Sequence, residues 1–213
     1  MSQMKKLLTL FCLMLGLSST QALAAADNPV ELIKDGSRQV LDILKQDNGK
    51  NTKQVRQQAE AVAVPLFDFP RMTALAVGLG WRQASPDQRN ELTQQFQTLL
   101  VRTYSTTMTR FKTAQVNVQP NPVPGANGKD VTVKSSVTLP GNANPVAVDY
   151  VLNKGDKGWK IYNVSVEGAS LVTVYRNSFN EEIRKNGVDG LIKLLQDKNA
   201  GPASAAAPAK GKG

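Results

Sequence analysis

The pattern of apolar and polar residues changes its period twice along the chain. In the N-terminal half, apolar residues recur at three- and four-residue spacing, which is typical of helices with one buried face. Asn28 followed by Pro29, Asp68 followed two residues later by Pro70, and Ser85 followed by Pro86 are helix-start signatures. The spacing predicts four helices, beginning near residues 29, 52, 69 and 86, the last of them continuing to about residue 111.

From residue 114 the period becomes two, which predicts strands. Val131, Val133 and Val137 alternate with polar neighbours, and the segments at 146–152 and 159–166 continue the pattern after short turn sequences. Short turns between consecutive strands imply antiparallel pairing. With helices before and after these strands, the predicted class is α+β: a twisted antiparallel sheet of about four strands covered by several helices.

The stretch "IYNVSVEGASLVTVYR", residues 161–176, combines both periods. Its first half is a strand by alternation, with Ile161 on one face and Tyr162, Val164 and Val166 on the other, so that neither face is clearly solvated. Its second half has helical spacing, which places Leu171 on a row that continues into a predicted helix. The segment "NGVDGLIKLL" adds one more short helix.

Both ends of the chain differ from this globular pattern. Residues 1–26 have two lysines, an apolar run and small residues in an A-x-A arrangement, which predicts a cleaved signal peptide; an uncleaved anchor is the alternative. Residues 198–213 consist almost entirely of small residues, proline and lysine, and are predicted to be a disordered tail. A single domain at residues 27–197 remains, and it is free of cysteine because Cys12 lies in the leader.

Charge and composition favour binding over catalysis. The formal net charge is +9, and losing Lys5 and Lys6 with the leader leaves +7, which suits phospholipid headgroups or an acidic protein face, or simply keeps the protein soluble. The basic residues are scattered, so nucleic acid is not an expected partner. The absence of histidine from the sequence and of cysteine from the mature chain excludes His-based triads, thiol catalysis and His or Cys metal sites. A pair of carboxylates that meet in space is left open as a hydrolase, but no enzyme is predicted.

The same apolar residues could fill a core or line a cavity. Val133, Val148 and Val166 lie on the apolar face of the predicted sheet, and on residue type alone a packed core is the ordinary interpretation. An open cavity between the sheet and the helices would be lined by the same residue types.

Two blocks of sequence carry distinctive sets of motifs. The first block runs from "VPLFDFPRM" to "LLVRTY" and includes "ASPDQR"; the second includes "YNVSVEGAS", "VYR" and "GVDGLIKLL". Taken together, these motifs resemble those of the MlaC family, also called the toluene-tolerance auxiliary family. Asn163 stands where the family often has Asp, and Gly78 interrupts the usual Leu-Gly pair before the tryptophan. The resemblance implies a periplasmic, non-catalytic phospholipid carrier whose sheet and helices enclose an apolar pocket, with phospholipid as cargo and no cofactor.

The resemblance also implies partners and a lipid site. The partners would be an inner-membrane ABC transporter complex with its membrane-anchored substrate-binding subunit, and an outer-membrane complex of lipoprotein and porin. The resemblance changes the interpretation of three sheet residues from packed core to pocket lining: Val133, Val148 and Val166. Strand phase and helix rows add further expected lipid-binding residues, namely Leu100, Tyr104, Tyr150, Val164, Leu171 and Tyr175. Arg71, Arg82 and Arg89 are candidates for headgroup or partner contacts, or for solvated surface charge. A carrier of another amphiphile and an exported interaction module with a filled core remain alternatives.

Overall fold

The computed structural model describes residues 28–141 and 144–201. The predicted signal peptide and the tail beyond residue 201 lie outside these residues. The described helices are α1 (Pro29–Leu44), α2 (Thr52–Ala63), α3 (Phe69–Val77), α4 (Leu79–Gln83), α5 (Pro86–Met108) and α6 (Leu171–Ala200). Single 3₁₀ turns follow α2 at Val64–Leu66 and α5 at Thr109–Phe111. The order of helices, sheet and helix confirms the predicted α+β class.

Three of the four predicted helix starts are confirmed by side-chain caps. The Asn28 side chain accepts a hydrogen bond from the Val30 amide, and the Asp68 side chain accepts one from the Arg71 amide. At α5, Ser85 and a glutamine three residues later form a reciprocal capping box. Each cap satisfies a backbone amide that the first helical turn would otherwise leave without a partner. Local sequence therefore determines where these helices begin.

The sheet is antiparallel and has a simple order. Its strands are β1 (Gln115–Val118), β2 (Val123–Pro124), β3 (Asp130–Thr138), β4 (Val146–Gly155), β5 (Gly158–Val166) and β6 (Ala169–Ser170). The order across the sheet is β1-β3-β4-β5-β6, with β2 pairing with β3. The four longer strands match the predicted count, and the two-residue strands β2 and β6 are additions.

A β-bulge in β5 corrects the predicted phase of that strand. Leu152 of β4 pairs with Ile161 and the preceding Val151 pairs with Asn163, so Tyr162 is an extra residue in β5. Directly paired residues share a face of an antiparallel sheet, and the extra residue shifts the alternation by one position. Ile161 therefore lies on the same face as Val164, and not on the opposite face as strict alternation predicted. One face of β5 is thus continuously apolar.

Helix α6 begins and ends in ways that the sequence predicts only in part. The Ser170 side chain caps it by accepting a hydrogen bond from the Thr173 amide. Gly187, at φ 70°, breaks it where a second helix was predicted. The helix continues to Ala200, so the predicted domain boundary after residue 197 falls inside it. Asn199 is buried and donates to the Gln95 carbonyl of α5 at 2.9 Å, which explains why the end is ordered.

The interior is divided into separate apolar clusters. One lies between α3, α5 and α6 and includes Phe96 and Phe179; another lies between α1 and the sheet and includes Ile33 and Val133. A third, smaller cluster joins α1 to α2. Because α1 and the trio of α3, α5 and α6 cover different parts of the same sheet, a gap can remain where the two coverings meet.

Candidate functional site

An apolar cavity of about 250 Å³ lies between the sheet and helices α2, α3 and α5. This volume is just below the range of roughly 300–1,000 Å³ that is usual for small-molecule sites. The lining residues are Glu60, Ala63, Val64, Phe67, Phe69, Met72, Leu100, Val101, Tyr104, Ser105, Met108, Tyr150, Val164, Val166 and Leu171. They come from all three helices, from the turn after α2, from two strands and from the start of α6.

The sheet wall of the cavity is formed where β4 and β5 pair. Tyr150 is directly opposite Val164, and Val148 is directly opposite Val166, so these side chains share the inward face. Tyr150, Val164 and Val166 line the cavity, together with Leu171 at the first turn of α6. All four were predicted as lipid-binding residues, and the structure brings them together.

The α5 wall is a single helical stripe. Leu100 and Tyr104, both predicted, line the cavity together with Val101, Ser105 and Met108. They form two neighbouring rows with spacings of three or four residues, 100–104–108 and 101–105–108, so all five face the same side of the helix. The last three were absent from the predicted set, although the spacing that selected Leu100 and Tyr104 also selects them. Ser105 is buried despite its hydroxyl, which made it a poor candidate on residue type.

The third wall comes from the segment that joins α2 to α3. Phe67 and Phe69 line the cavity and their rings stack at 5.6 Å, and Met72 follows one turn later in α3. The Asp68 amide donates to the Ile161 carbonyl at 2.8 Å, which holds this segment against β5. This wall was absent from the predicted site because no local period of the sequence encodes the contact between residue 68 and residue 161. The "FDFP" motif was the available signal.

Three predicted residues lie away from the cavity. Val133 is fully buried in the cluster that α1 covers, and Val148 packs against that cluster. Tyr175 is one helical turn beyond Leu171, and its ring contacts those of Phe96 and Phe179, with centroids 5.0 and 5.5 Å apart. Val133 therefore occupies a packed core position, whereas Val148 and Tyr175 are partly buried and pack against the two clusters.

The candidate headgroup arginines are largely engaged within the protein. Arg71 pairs with Asp130 at 3.2 Å and its guanidinium lies 3.9 Å from the centre of the Tyr162 ring. Arg89 donates to the Trp81 carbonyl at 2.9 Å and to the Arg82 carbonyl at 3.3 Å. Arg71 and Arg89 therefore hold helices in place, whereas the Arg82 side chain is exposed.

A partly buried carboxylate network surrounds Arg71 at the start of β3. Asp130 accepts hydrogen bonds from Asn153 at 2.7 Å, from Asn127 at 2.5 Å and from Tyr162 at 3.0 Å. Burial by itself would raise the pKa of Asp130, but these hydrogen bonds and the positive charge of Arg71 outweigh it and lower the pKa. The network ties α3, which carries part of the cavity wall, to strands β3, β4 and β5.

The cavity lining carries little charge at neutral pH. Burial, and to a lesser degree the neighbouring Tyr175, raises the pKa of Tyr104 to about 12, and burial raises the pKa of Tyr150 as well. Both phenols are therefore neutral under physiological conditions. Among the described residues that line the cavity, Glu60 is the charged one. Such a site offers apolar contact with very little polar chemistry.

Neither a metal centre nor a membrane span is present in the part of the chain that the structure describes. Residues 28–141 and 144–201 contain no group of three or more His, Cys, Asp or Glu side chains that could hold a metal ion. In the same residues, every helix is too short or too polar to cross a membrane.

Comparison with known proteins gives one consistent result. The model of the family described as MlaC protein matches residues 34–197. The toluene tolerance protein ttg2D of Pseudomonas putida is 24% identical over 170 residues, which are 78% of this chain and 77% of the relative. The intermembrane phospholipid transport system binding protein MlaC of Haemophilus influenzae is 20% identical over 210 residues, 94% of this chain and 96% of the relative.

A solved structure agrees with the sequence comparisons. The phospholipid-binding protein from Ralstonia solanacearum, determined in complex with a phospholipid, superposes with a TM-score of 0.72 at 35% sequence identity. The match covers 82% of this chain and 98% of the solved chain.

Proposed function

This chain belongs to the MlaC family, and on that premise we propose that it is a non-catalytic periplasmic carrier of glycerophospholipid. It takes lipid from one membrane complex and delivers it to another: an inner-membrane ABC transporter with its membrane-anchored substrate-binding subunit, and an outer-membrane lipoprotein and porin complex. Phospholipid is its cargo, and it needs no cofactor. The predicted signal peptide at residues 1–26 is consistent with export to this compartment.

The observation that carries this proposal is the apolar cavity between the sheet and α2, α3 and α5. Its lining is aliphatic and aromatic apart from Glu60, Ser105 and two neutral tyrosines. Each methylene group that leaves water for such surroundings contributes about 0.8 kcal/mol. The binding free energy of an acyl chain there therefore depends on its length and not on specific polar contacts. This property suits a carrier that binds lipids of differing chain composition.

The size of the cavity implies movement on loading. A diacyl lipid is larger than the molecules that fill the smallest ligand pockets, and about 250 Å³ is below that range. Leu100 and Met72 of the cavity wall belong to the cluster around Phe96, Val164 belongs to the cluster that α1 covers, and Phe67 packs against both. Separation of these clusters enlarges the cavity without opening the packed core around Phe96.

The test is native mass spectrometry of the mature protein purified without detergent, followed by release and identification of the ligand. Phospholipid at a fixed stoichiometry, together with its transfer from vesicles to the purified partner complexes, is the expected result. A different bound amphiphile, such as a lipoprotein acyl group, would instead indicate a carrier of that species. A protein that remains empty after incubation with phospholipid vesicles would contradict the proposal and favour an interaction module.

A further inference from the structure

An arginine beside the cavity has an unusual environment. The Nε of Arg56 on α2 is buried, yet it finds no hydrogen-bond acceptor among the residues that the structure describes. A guanidinium keeps its proton at any physiological pH, so this N–H is always a donor of a charged group. Leaving such a donor unpaired out of contact with water is unfavourable, and most buried polar groups in folded proteins avoid it.

Arg56 shares a helix face with the cavity wall. Glu60 and Ala63 line the cavity from α2, and Arg56 precedes them by four and seven residues, which places it on the same stripe. Its neighbours Val55 and Ala59 pack in the cluster that includes Met108, and Met108 also lines the cavity. Arg56 is therefore about one helical turn from the lining, at the end of the cavity nearest the start of α2.

The nearby carboxylate does not neutralise Arg56. Glu60 lies one turn further along α2, but the ion pairs of the described residues do not include these two side chains within 4.0 Å. An arginine placed before a glutamate is the less favourable order for a pair at this spacing on a helix. Arg71 and Arg89 differ from Arg56 in this respect because both already bind acceptors in the protein.

We propose that Arg56 binds the phosphate of the carried lipid. The Nε–H and one Nη–H form the edge with which arginine grips a phosphate through two parallel hydrogen bonds, and the structure leaves the Nε side of that edge unpaired. The acyl chains then extend past Glu60 and Ala63 into the apolar cavity. This assignment rests on the proposed carrier function and adds a specific headgroup contact to it.

The experiment compares two lipids that share their acyl chains, one with a phosphoglycerol headgroup and one without it. Native mass spectrometry measures how dioleoyl phosphatidylglycerol and dioleoylglycerol compete for the protein when presented in vesicles. We expect the wild-type protein to prefer the phospholipid and Arg56→Ala to lose about tenfold to hundredfold of that preference, the range for hydrogen bonds to a charged group. Arg56→Lys keeps the charge but lacks the paired Nε–H and Nη–H donors, and it should retain part of the preference for the phospholipid.

A matched control and a stability measurement separate this role from others. Lys53→Ala removes the same charge from an exposed position of the same helix, and its preference should equal that of the wild type. The melting temperature of lipid-free Arg56→Ala should equal or exceed that of the wild type, because the variant no longer buries an unpaired donor. If Arg56→Ala does not fold, Arg56→Gln takes its place in the competition.

The outcomes are distinct. An unchanged phospholipid preference in Arg56→Ala, or an equal loss in Lys53→Ala, overturns the assignment of Arg56 and leaves the carrier function intact. A wild-type protein that takes up neither lipid overturns both.

Discussion

Replacement of Val166 by glutamate tests whether the cavity is the acyl-chain site. Val166 lines the cavity from the last residue of β5 and is only partly buried, so water can reach a new side chain there when no lipid is bound. In the loaded protein the carboxylate would lie against methylene groups without a partner. The substitution therefore penalises the lipid complex far more than it penalises the fold.

The size of the effect follows from the surroundings of residue 166. An uncompensated charge in an apolar interior costs about 3–5 kcal/mol, and each 1.4 kcal/mol is a factor of ten in affinity. We therefore expect lipid binding to weaken by at least about a hundredfold, equivalent to the loss of roughly four buried methylenes. In the lipid-free protein the carboxylate stays hydrated, and the free energy of unfolding should change by only about 1 kcal/mol.

The assay is the amount of lipid that co-purifies with the protein, quantified by native mass spectrometry, with circular dichroism as the check on folding. Val123→Glu is the matched control, because Val123 is 48% exposed on β2 and the same chemical change there should leave the bound lipid unaltered. Val166→Gln separates charge from size and should lose less lipid than Val166→Glu. A folded Val166→Glu protein that carries as much phospholipid as the wild type would refute the assignment of this wall.

Three further predictions concern stability. Asp130→Asn should lower the free energy of unfolding by about 2 kcal/mol at neutral pH, since hydrogen bonds to a charged carboxylate are lost. Because the native pKa of Asp130 is lowered, this stabilisation is complete above the unfolded pKa of about 3.9 and disappears as the pH falls through the native pKa. Urea denaturation curves of the wild type and the variant should therefore converge in acid. With the pKa of Tyr104 raised to about 12, the native state keeps a proton that the unfolded chain releases near pH 10. The free energy of unfolding measured by urea denaturation should therefore decline as the pH rises from about 10 to about 12. The decline should be smaller in Tyr104→Phe, which has no phenol to ionise at this position. Gly78→Ala should cost about 1–3 kcal/mol in thermal unfolding because the residue has φ 64° and ψ −124°, whereas Gly155→Ala, at a glycine with open space around it, should cost little.

Short-range rules account for the parts of the fold that the sequence predicts well. Asn28, Asp68 and Ser85 each start a helix through a side chain that bonds an amide two or three residues away, so the determinant and its effect lie in the same few residues. The alternation of apolar and polar residues in β3 and β4 likewise indicates directly that one face of each strand is buried. Leu100 and Tyr104 were found at the cavity for the same reason, as members of one helical stripe.

The tertiary structure decided which apolar residues fill space and which surround it. Val133 and Val166 have the same side chain on the same face of the sheet, but α1 packs over the first, and the second lies where the helices leave a gap. The extra residue at Tyr162 and the contact between Asp68 and Ile161 also depend on pairing between distant segments. A core position and a cavity wall both require apolar side chains, so the sequence determined that these residues are buried away from water. The distance between the packed layers determined whether they contact other side chains or line a cavity.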